Sequence, residues 1–289
     1  MIPPAFEYLR PKTIPEALTF LEQHGDDAKI LSGGQSLIPM MKLRLARPAY
    51  IVDINRISGL SFIKEEGGFL KIGGLTREAD VESSTLVRTK YPLLIDTASV
   101  IADPQVRNLA TVGGNLAHGD PANDHPAAML ALGAQIVATG KKGERVIPIE
   151  SFFVSLFTTA LQAGEILTEI RIPVPPSKSG GAYLKVERKV GDFATAAVAV
   201  QLTLDDKGAV QKAGVGLTNV GPTPLKARKA EDFLRGKKPD AAAIAQAAQL
   251  ASDDSQPSAD LRGPAEYKKG LVKELAKRAI SRALERAGK

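Results

Sequence analysis

The chain has 289 residues, a formal net charge of +6 at pH 7, no cysteine, no tryptophan and only three histidines. The length suggests two domains, and the missing thiols exclude disulfides, thiol catalysis, thiolate-held iron–sulfur clusters and a cysteinyl-linked flavin. Three histidines leave little for a tight zinc site, and sparse aromatics speak against a base-stacking nucleic-acid module.

Much of the positive charge lies in the tail, where Lys268, Lys269, Lys273, Lys277, Arg278, Arg282, Arg286 and Lys289 outnumber Glu266, Glu274 and Glu285. That pattern reads as a solvated helix face or as a docking surface for an acidic partner. No apolar run has the length of a transmembrane segment. The start, Met1-Ile2-Pro3-Pro4-Ala5-Phe6-Glu7, lacks a basic region followed by an apolar one. The expected location is therefore the cytoplasm, or the inner face of the membrane.

In chain order, the first unit reads strand, helix, strand, loop, helix, strand. Thr13-Ile14-Pro15-Glu16 is a capping box, in which Thr13 satisfies an orphan N–H and Glu16 reaches back. Ile14, Ala17, Leu18 and Leu21 follow at helical spacing and Gly25 ends the helix. A short buried strand is expected at 28–31, a helix at 37–45 and a strand at 50–54. In the second unit, 61–64 and 69–72 flank Glu65-Glu66-Gly67-Gly68 as a hairpin. Thr76 is expected to cap a short helix, and 93–101 to form another. A long polar loop should run from Asp103 to Asp124, followed by a helix at 126–132 and strands at 134–139, 146–149 and 166–172. Pro173-Val174-Pro175-Pro176-Ser177-Lys178-Ser179-Gly180-Gly181 has the composition of a linker or exposed crossover. Beyond it, strands are expected at 182–188, 194–204 and 209–218, with helices at 226–234, 241–251 and 264–286.

The fold class is therefore α+β: two small α/β units, then an antiparallel sheet covered by helices. The corresponding division is 1–176, with subdomains of about 1–57 and 58–176, followed by a C-terminal domain at 177–289.

Ser32-Gly33-Gly34-Gln35-Ser36 combines paired glycines with hydroxyls. Glycines let backbone approach a ligand, and successive N–H groups can converge on an anion; Leu37 then opens a helix. Alone, this pattern is more often that of a plain tight turn. Thr111-Val112-Gly113-Gly114-Asn115 repeats the same chemistry. Two such loops in adjacent units can clamp one dinucleotide from two sides. Neither a Gly-x-Gly-x-x-Gly fingerprint nor a phosphate-binding Gly-x-x-x-x-Gly-Lys-Ser/Thr loop is present, which disfavours a Rossmann domain. Gly73-Gly74 lacks flanking hydroxyls and reads as a turn.

These loops, with Lys29-Ile30-Leu31 before the first, Ile101-Ala102-Asp103-Pro104-Gln105-Val106-Arg107-Asn108 before the second and Gly119-Asp120-Pro121-Ala122-Asn123-Asp124-His125-Pro126-Ala127 after it, resemble the FAD subunit of molybdenum hydroxylases, whose fold is shared with vanillyl-alcohol oxidase-type flavoproteins. Order and spacing match end to end. Lys189-Val190-Gly191-Asp192-Phe193-Ala194-Thr195-Ala196, Gly216-Leu217-Thr218-Asn219-Val220 and Arg262-Gly263-Pro264-Ala265-Glu266-Tyr267 look like the carbon monoxide dehydrogenase branch.

The resemblance implies a non-covalent FAD. Its pyrophosphate and adjoining groups would be held by Ser32, Gly33, Gly34, Gln35, Ser36 and Leu37, and by Thr111, Val112, Gly113, Gly114 and Asn115. Asp124 would hydrogen-bond the flavin nucleotide, and Lys29, Leu167 and Lys185 would contact FAD. Phe193 stands where the carbon monoxide enzyme places a tyrosine beside the flavin ring, keeping the apolar face without the hydroxyl. Read without the family, Asp124 is equally a helix N-terminal acid, Lys185 a surface residue and Phe193 a core residue. His118 and His125 are expected to be ordinary loop histidines, and His24 a helix-end histidine.

The resemblance also implies partners: a small subunit with two 2Fe–2S iron–sulfur clusters and a large subunit with the molybdenum cofactor, assembled as a dimer of heterotrimers, and quinone or another acceptor. The chain itself would then carry no substrate-oxidising residues and no metal. The rival readings are a self-contained flavin reductase of the same fold and a basic nucleic-acid-binding module. Neither finds a supporting motif.

Overall fold

The computed structural model describes residues 1–288; Lys289, counted above with the basic tail, lies outside the described residues. Three sheets in succession carry the fold. The first contains β1 (Glu7–Leu9), followed by α1 (Ile14–His24), β2 (Ala28–Leu31), α2 (Leu37–Lys42) and β3 (Tyr50–Asp53). Its strand order is β1-β3-β2, all parallel. Ala17, Leu18 and Leu21 of α1 are buried against Val52 and Ile54. The N-terminal cap of α1 forms with one shift: Thr13 Oγ1 accepts from the Glu16 N–H at 3.3 Å, but the Glu16 carboxylate accepts from the Lys12 N–H at 2.8 Å. The helix after the first glycine loop stops at Lys42, short of the expected Leu45, and Arg44 takes φ 61°.

The second sheet gathers β4 (Ile63–Glu66), β5 (Phe69–Gly73), β6 (Gln135–Gly140), β7 (Gly143–Pro148) and β10 (Ile166–Pro173). Its order is β4-β5-β10-β6-β7, with every pairing antiparallel. The β4–β5 turn is Gly67-Gly68 alone, both at positive φ (61° and 80°), so Glu65 and Glu66 belong to the strand. Between β5 and β6 lie α3 (Glu78–Ser83), α4 (Thr85–Lys90), α5 (Pro92–Ala98), α6 (Pro104–Arg107), α7 (Val112–His118) and α8 (Asp124–Leu132); β8 (Phe153–Ser155) and β9 (Thr158–Thr159) form a small separate hairpin.

Two expectations fail in this region. Thr76 caps no helix. It is buried, and its hydroxyl bridges the N–H and C=O of Phe62 at 3.1 and 3.0 Å. The stretch from Asp103 to Asp124 is not one loop. Asp103 caps α6 through the Val106 N–H at 2.9 Å, with Pro104 at the first helical position. Thr111 caps α7 through the Gly114 N–H at 3.1 Å. The glycine pair, poor in helix propensity, hides α7 in the sequence.

The third sheet holds β11 (Ser179–Val186), β12 (Ala196–Leu204), β13 (Val210–Thr218) and β14 (Leu225–Lys226), antiparallel and in chain order. α9 (Arg228–Leu234), α10 (Ala241–Asp254) and α11 (Ala265–Ala287) cover one face. Strand alternation divides the cores. Val198, Val200 and Leu202 of β12 join Ala276, Ala279 and Ile280 of α11, whereas Ala197 and Ala199 join α8 and the second sheet. β13 presents backbone to α8: a β-carbon at Gly214 would lie 2.0 Å from the Ala131 carbonyl oxygen, and one at Gly216 2.0 Å from that of Ala127. Of the two readings of this segment, linker or exposed crossover, the second holds: residues 174–178 join β10 to β11 between closely packed layers.

α11 turns Val272, Leu275, Ala276, Ala279, Ile280 and Ala283 inward. Its basic residues are not uniformly solvated: Lys268 is 1 % exposed and pairs with Asp260 at 2.7 Å, and Arg286 reaches Asp96 of α5 at 2.6 Å. Among the described residues no helix is long and apolar enough to cross a membrane.

Candidate functional site

A cavity of about 620 Å³ opens where the β2–α2 loop faces the start of α7, a size typical of small-molecule and cofactor sites. Lys29, Ser32, Gly33, Gly34, Gln35, Ser36 and Leu37 line one wall. Thr111, Gly113, Gly114 and Asn115 line the opposite one. Asp124 closes it from the first turn of α8, Leu167 from β10, and Phe193 from the β11–β12 loop.

The two glycine segments touch each other. The Thr111 hydroxyl donates to Ser32 Oγ at 3.2 Å while accepting the Gly114 N–H. A β-carbon at Gly114 would sit 2.7 Å from both hydroxyl oxygens, so only glycine leaves this corner open. Gly34 takes φ 73°, turning the chain into α2. Asn123 donates to the Asn115 carbonyl at 2.9 Å, whereas Asn115 Oδ1 is buried with no protein partner among the described residues. A buried acceptor of that kind fits a ligand donor.

Asp124 is 5 % exposed, and both its oxygens are engaged from behind. The Tyr183 hydroxyl donates to Oδ1 at 2.6 Å, and Lys185 Nζ donates to Oδ2 at 3.1 Å. Lys185 also donates to the Val100 carbonyl at 3.0 Å and lies 3.2 Å from Glu187. Burial pushes the Asp124 carboxyl above its ordinary range, opposed by the Lys185 charge and the Tyr183 hydrogen bond. Each carboxylate oxygen keeps a further lone pair for a ligand.

Two of the expected site residues do not line this cavity. Val112 is fully buried and faces the core. Lys185 stands behind Asp124 rather than in the wall, and its side chain is 2 % exposed, so the reading of it as a surface residue does not hold. Its strand neighbours could not reveal this, because its partner Asp124 is 61 residues away.

His118 and His125 depart from the loop reading, whereas His24 ends α1 as read. His125 lies in α8, fully buried, with Nε2 2.6 Å from Glu78 Oε2. Burial opposes its charge, but the Glu78 carboxylate outweighs this and raises its pKa. His118 ends α7 at the cavity, its ring centroid 5.2 Å from that of Phe157; burial lowers its pKa. His24 stacks on Tyr50 at 3.6 Å.

Several lining residues were not anticipated. Gly74, read as a turn, lies in the wall because the strands converge there: its β-carbon would meet the Leu167 carbonyl oxygen at 2.2 Å. Asn123, Phe157 and Glu165 also line the cavity. At the mouth, Phe193 is 47 % exposed, with the Arg262 guanidinium 5.9 Å from its ring centroid. Asp192 accepts from Arg188 at 2.8 Å, Arg262 at 3.0 Å and the Phe193 N–H at 2.8 Å. The Arg188 bond leads in lowering its pKa to about 2.

This donor set fits a dinucleotide bearing a flat ring. Hydroxyls and glycine backbone offer an anion cradle, Asn115 and Asp124 offer acceptors, and Leu37, Leu167 and Phe193 offer apolar surface. FAD has those parts. Among the described residues there is no cluster of three acidic or histidine side chains able to hold a metal.

Comparison with known proteins agrees with this geometry. The family described as the FAD binding domain in molybdopterin dehydrogenase matches residues 4–175, and the CO dehydrogenase flavoprotein C-terminal domain matches residues 181–283. The carbon monoxide dehydrogenase medium chain of Hydrogenophaga pseudoflava is 45 % identical over 286 residues, covering 99 % of both chains. A solved structure of carbon monoxide dehydrogenase from Hydrogenophaga pseudoflava, lacking the Mo-pyranopterin moiety of its cofactor, superimposes with a TM-score of 0.96 at 47 % identity, covering 99 % of each chain. The crystal structure of quinoline 2-oxidoreductase from Pseudomonas putida 86 gives 0.93 at 32 % identity, again covering 99 % of each chain.

Proposed function

The chain belongs to the family of FAD-binding subunits of molybdopterin dehydrogenases, and on that premise we propose that it is the flavin-carrying electron-transfer subunit of a carbon monoxide dehydrogenase-type molybdenum hydroxylase. The observation that carries this reading is the cavity closed by both glycine segments, in a chain with no cysteine to hold clusters of its own.

FAD, when bound, supplies a carrier that takes electrons singly and gives them up as a pair. The residues present do the holding. Ser32, Ser36, Thr111 and the intervening backbone N–H groups fix the pyrophosphate. Asn115 and Asp124 would accept from the nucleotide's donors, and Lys185 and Tyr183 orient Asp124 from behind. Leu167 and Phe193 provide apolar contact for the ring. Substrate oxidation belongs to partners: a small subunit with 2Fe–2S iron–sulfur clusters and a large subunit with the molybdenum cofactor, assembled as a dimer of heterotrimers in the cytoplasm. Quinone or another acceptor takes the electrons.

Purification with its partners tests this reading. One flavin per chain should leave with acid precipitation and be identified as FAD. Flavin retained on the tryptic peptide containing His118, the histidine that lines the cavity, would overturn non-covalent binding. A second reading is favoured by the quinoline 2-oxidoreductase match: the same subunit role in a hydroxylase of an aldehyde, purine or other heterocycle.

A further inference from the structure

The two glycine segments come from different sheets, so something must fix their spacing. On the second side, residues 109–112 are tied down by backbone. Glu78 N–H donates to the Ala110 carbonyl at 3.0 Å, and Val112 N–H donates to the Thr76 carbonyl at 3.0 Å. Arg77 lies between those two anchors. Its Nη1 donates to the Leu109 carbonyl, and its Nη2 donates to Asn55 Oδ1 at 2.7 Å. Asn55 in turn donates through Nδ2 to the Ser32 carbonyl at 2.8 Å and to Asp53 Oδ1 at 2.7 Å. Asp53, at the end of β3, accepts the Tyr8 hydroxyl from the neighbouring β1. A continuous chain of hydrogen bonds thus runs from the first sheet, through Ser32, Asn55 and Arg77, to the residue two before Thr111.

We propose that Arg77 and Asn55 form a clasp that sets the separation of the two FAD-holding segments. Neither residue lines the cavity, so both are positioning residues acting through Ser32 and Leu109. The residue types suit the task. The guanidinium fork offers donors in fixed, diverging directions and satisfies two acceptors at once, which a lysine cannot do in one geometry. Asn55 carries both an acceptor for Arg77 and two amide hydrogens, which it divides between Ser32 and Asp53. The spacing matters because the Thr111–Ser32 hydroxyl contact of 3.2 Å leaves little tolerance for the loops to drift. A clasp of this kind preorganises the site and reduces the ordering cost of binding.

This inference rests on the proposed FAD site. Its test is FAD binding by the full chain, freed of flavin and titrated by flavin fluorescence, alongside thermal unfolding of the flavin-free form. Arg77→Met and Asn55→Ala should each raise the FAD dissociation constant about tenfold or more, with the flavin-free melting temperature lowered by only about 2 °C. The double variant should be no worse than the weaker single one, because cutting the chain once already frees the loops. Arg77→Lys, which keeps the charge and one contact, should fall between wild type and Arg77→Met. Should Arg77→Met fail to fold, Asn55→Ala and Arg77→Lys carry the same comparison. Unchanged affinity in the folded variants overturns the clasp, as do losses that add in the double variant and track the fall in melting temperature. A wild-type chain that takes up no FAD sinks the proposed function, and this inference with it.

Discussion

A β-carbon placed on Gly33 would lie 2.4 Å from the carbonyl oxygen of Leu109 and 2.7 Å from the Cα of Ala110. Gly33 is therefore the point at which the first glycine segment presses on the second. Its smallness serves loop-to-loop contact, and that contact shapes the cavity.

Gly33→Ala should consequently cost both cofactor and fold. The methyl meets backbone on the opposite segment, which cannot rotate away, and overpacking of this kind costs about 1–3 kcal/mol. FAD affinity should fall by about tenfold or more, with a lower urea midpoint in the flavin-free chain. Gly114→Ala provides the contrast. There the methyl meets the Ser32 and Thr111 hydroxyls, side-chain atoms that can turn aside. Its effect should fall on FAD binding with a smaller change in the urea midpoint. Equal urea midpoints for wild type and Gly33→Ala would contradict the contact.

The buried Lys185–Asp124 pair makes a second prediction. Lys185→Met leaves a carboxylate 5 % exposed with only the Tyr183 hydroxyl as donor. Removing one member of such a pair costs about 3–5 kcal/mol. Adding Asp124→Asn should return a good part of that loss, since the uncompensated charge is gone. Denaturant unfolding of the four forms measures the coupling. Additive losses would mean that the two side chains do not interact energetically.

His125 and Glu78 supply a pH dependence. The folded-state pKa of His125 is raised above its ordinary 6.5. Stability from the charged pair is then fully present below pH 6.5 and drains away as pH rises through the folded value. Unfolding free energy of the flavin-free chain, followed from pH 6 upward, should decline in wild type. The decline should be absent in His125→Gln. A flat wild-type profile would show that the pair holds no proton in this range.

What was legible in the sequence was local. Paired glycines beside hydroxyls mark Ser32 to Ser36 and Thr111 to Asn115 because the backbone demand and the donors lie within five residues. The strand that becomes β12 and the helical spacing of α1 are legible for the same reason. The rest depended on distance. Lys185 looks like a surface residue in its strand until Asp124, 61 positions earlier, is packed against it. His125 looks like a loop residue until α8 buries it against Glu78, 47 positions earlier at the start of α3. Arg77 and Asn55 carry no motif at all; their meaning arises only when two sheets bring Ser32 and Leu109 together. Thr76 misleads because a hydroxyl before acidic residues resembles a cap, yet the chain buries it against Phe62.

The last prediction concerns where the chemistry starts. Among the described residues the chain has no metal cluster, and its full sequence has no cysteine. The cavity that the glycine segments close is suited to holding a cofactor, and its carboxylates are mostly paired off: Asp124 with Lys185, Glu165 with Arg145, Asp192 with Arg188 and Arg262. Groups engaged in ion pairs are poorly placed to shuttle protons to and from a substrate. On the proposed reading, electrons arrive from a partner. In the complex purified with its small and large subunits, adding carbon monoxide should bleach the iron–sulfur and flavin absorbance together. The isolated chain, loaded with FAD, should show no change on the same addition. Bleaching of the isolated chain by a substrate at a useful rate would overturn the subunit role and favour a self-contained flavoenzyme. A complex that responds to an aldehyde, a purine or a quinoline but not to carbon monoxide would keep the subunit role and move the substrate to the second reading.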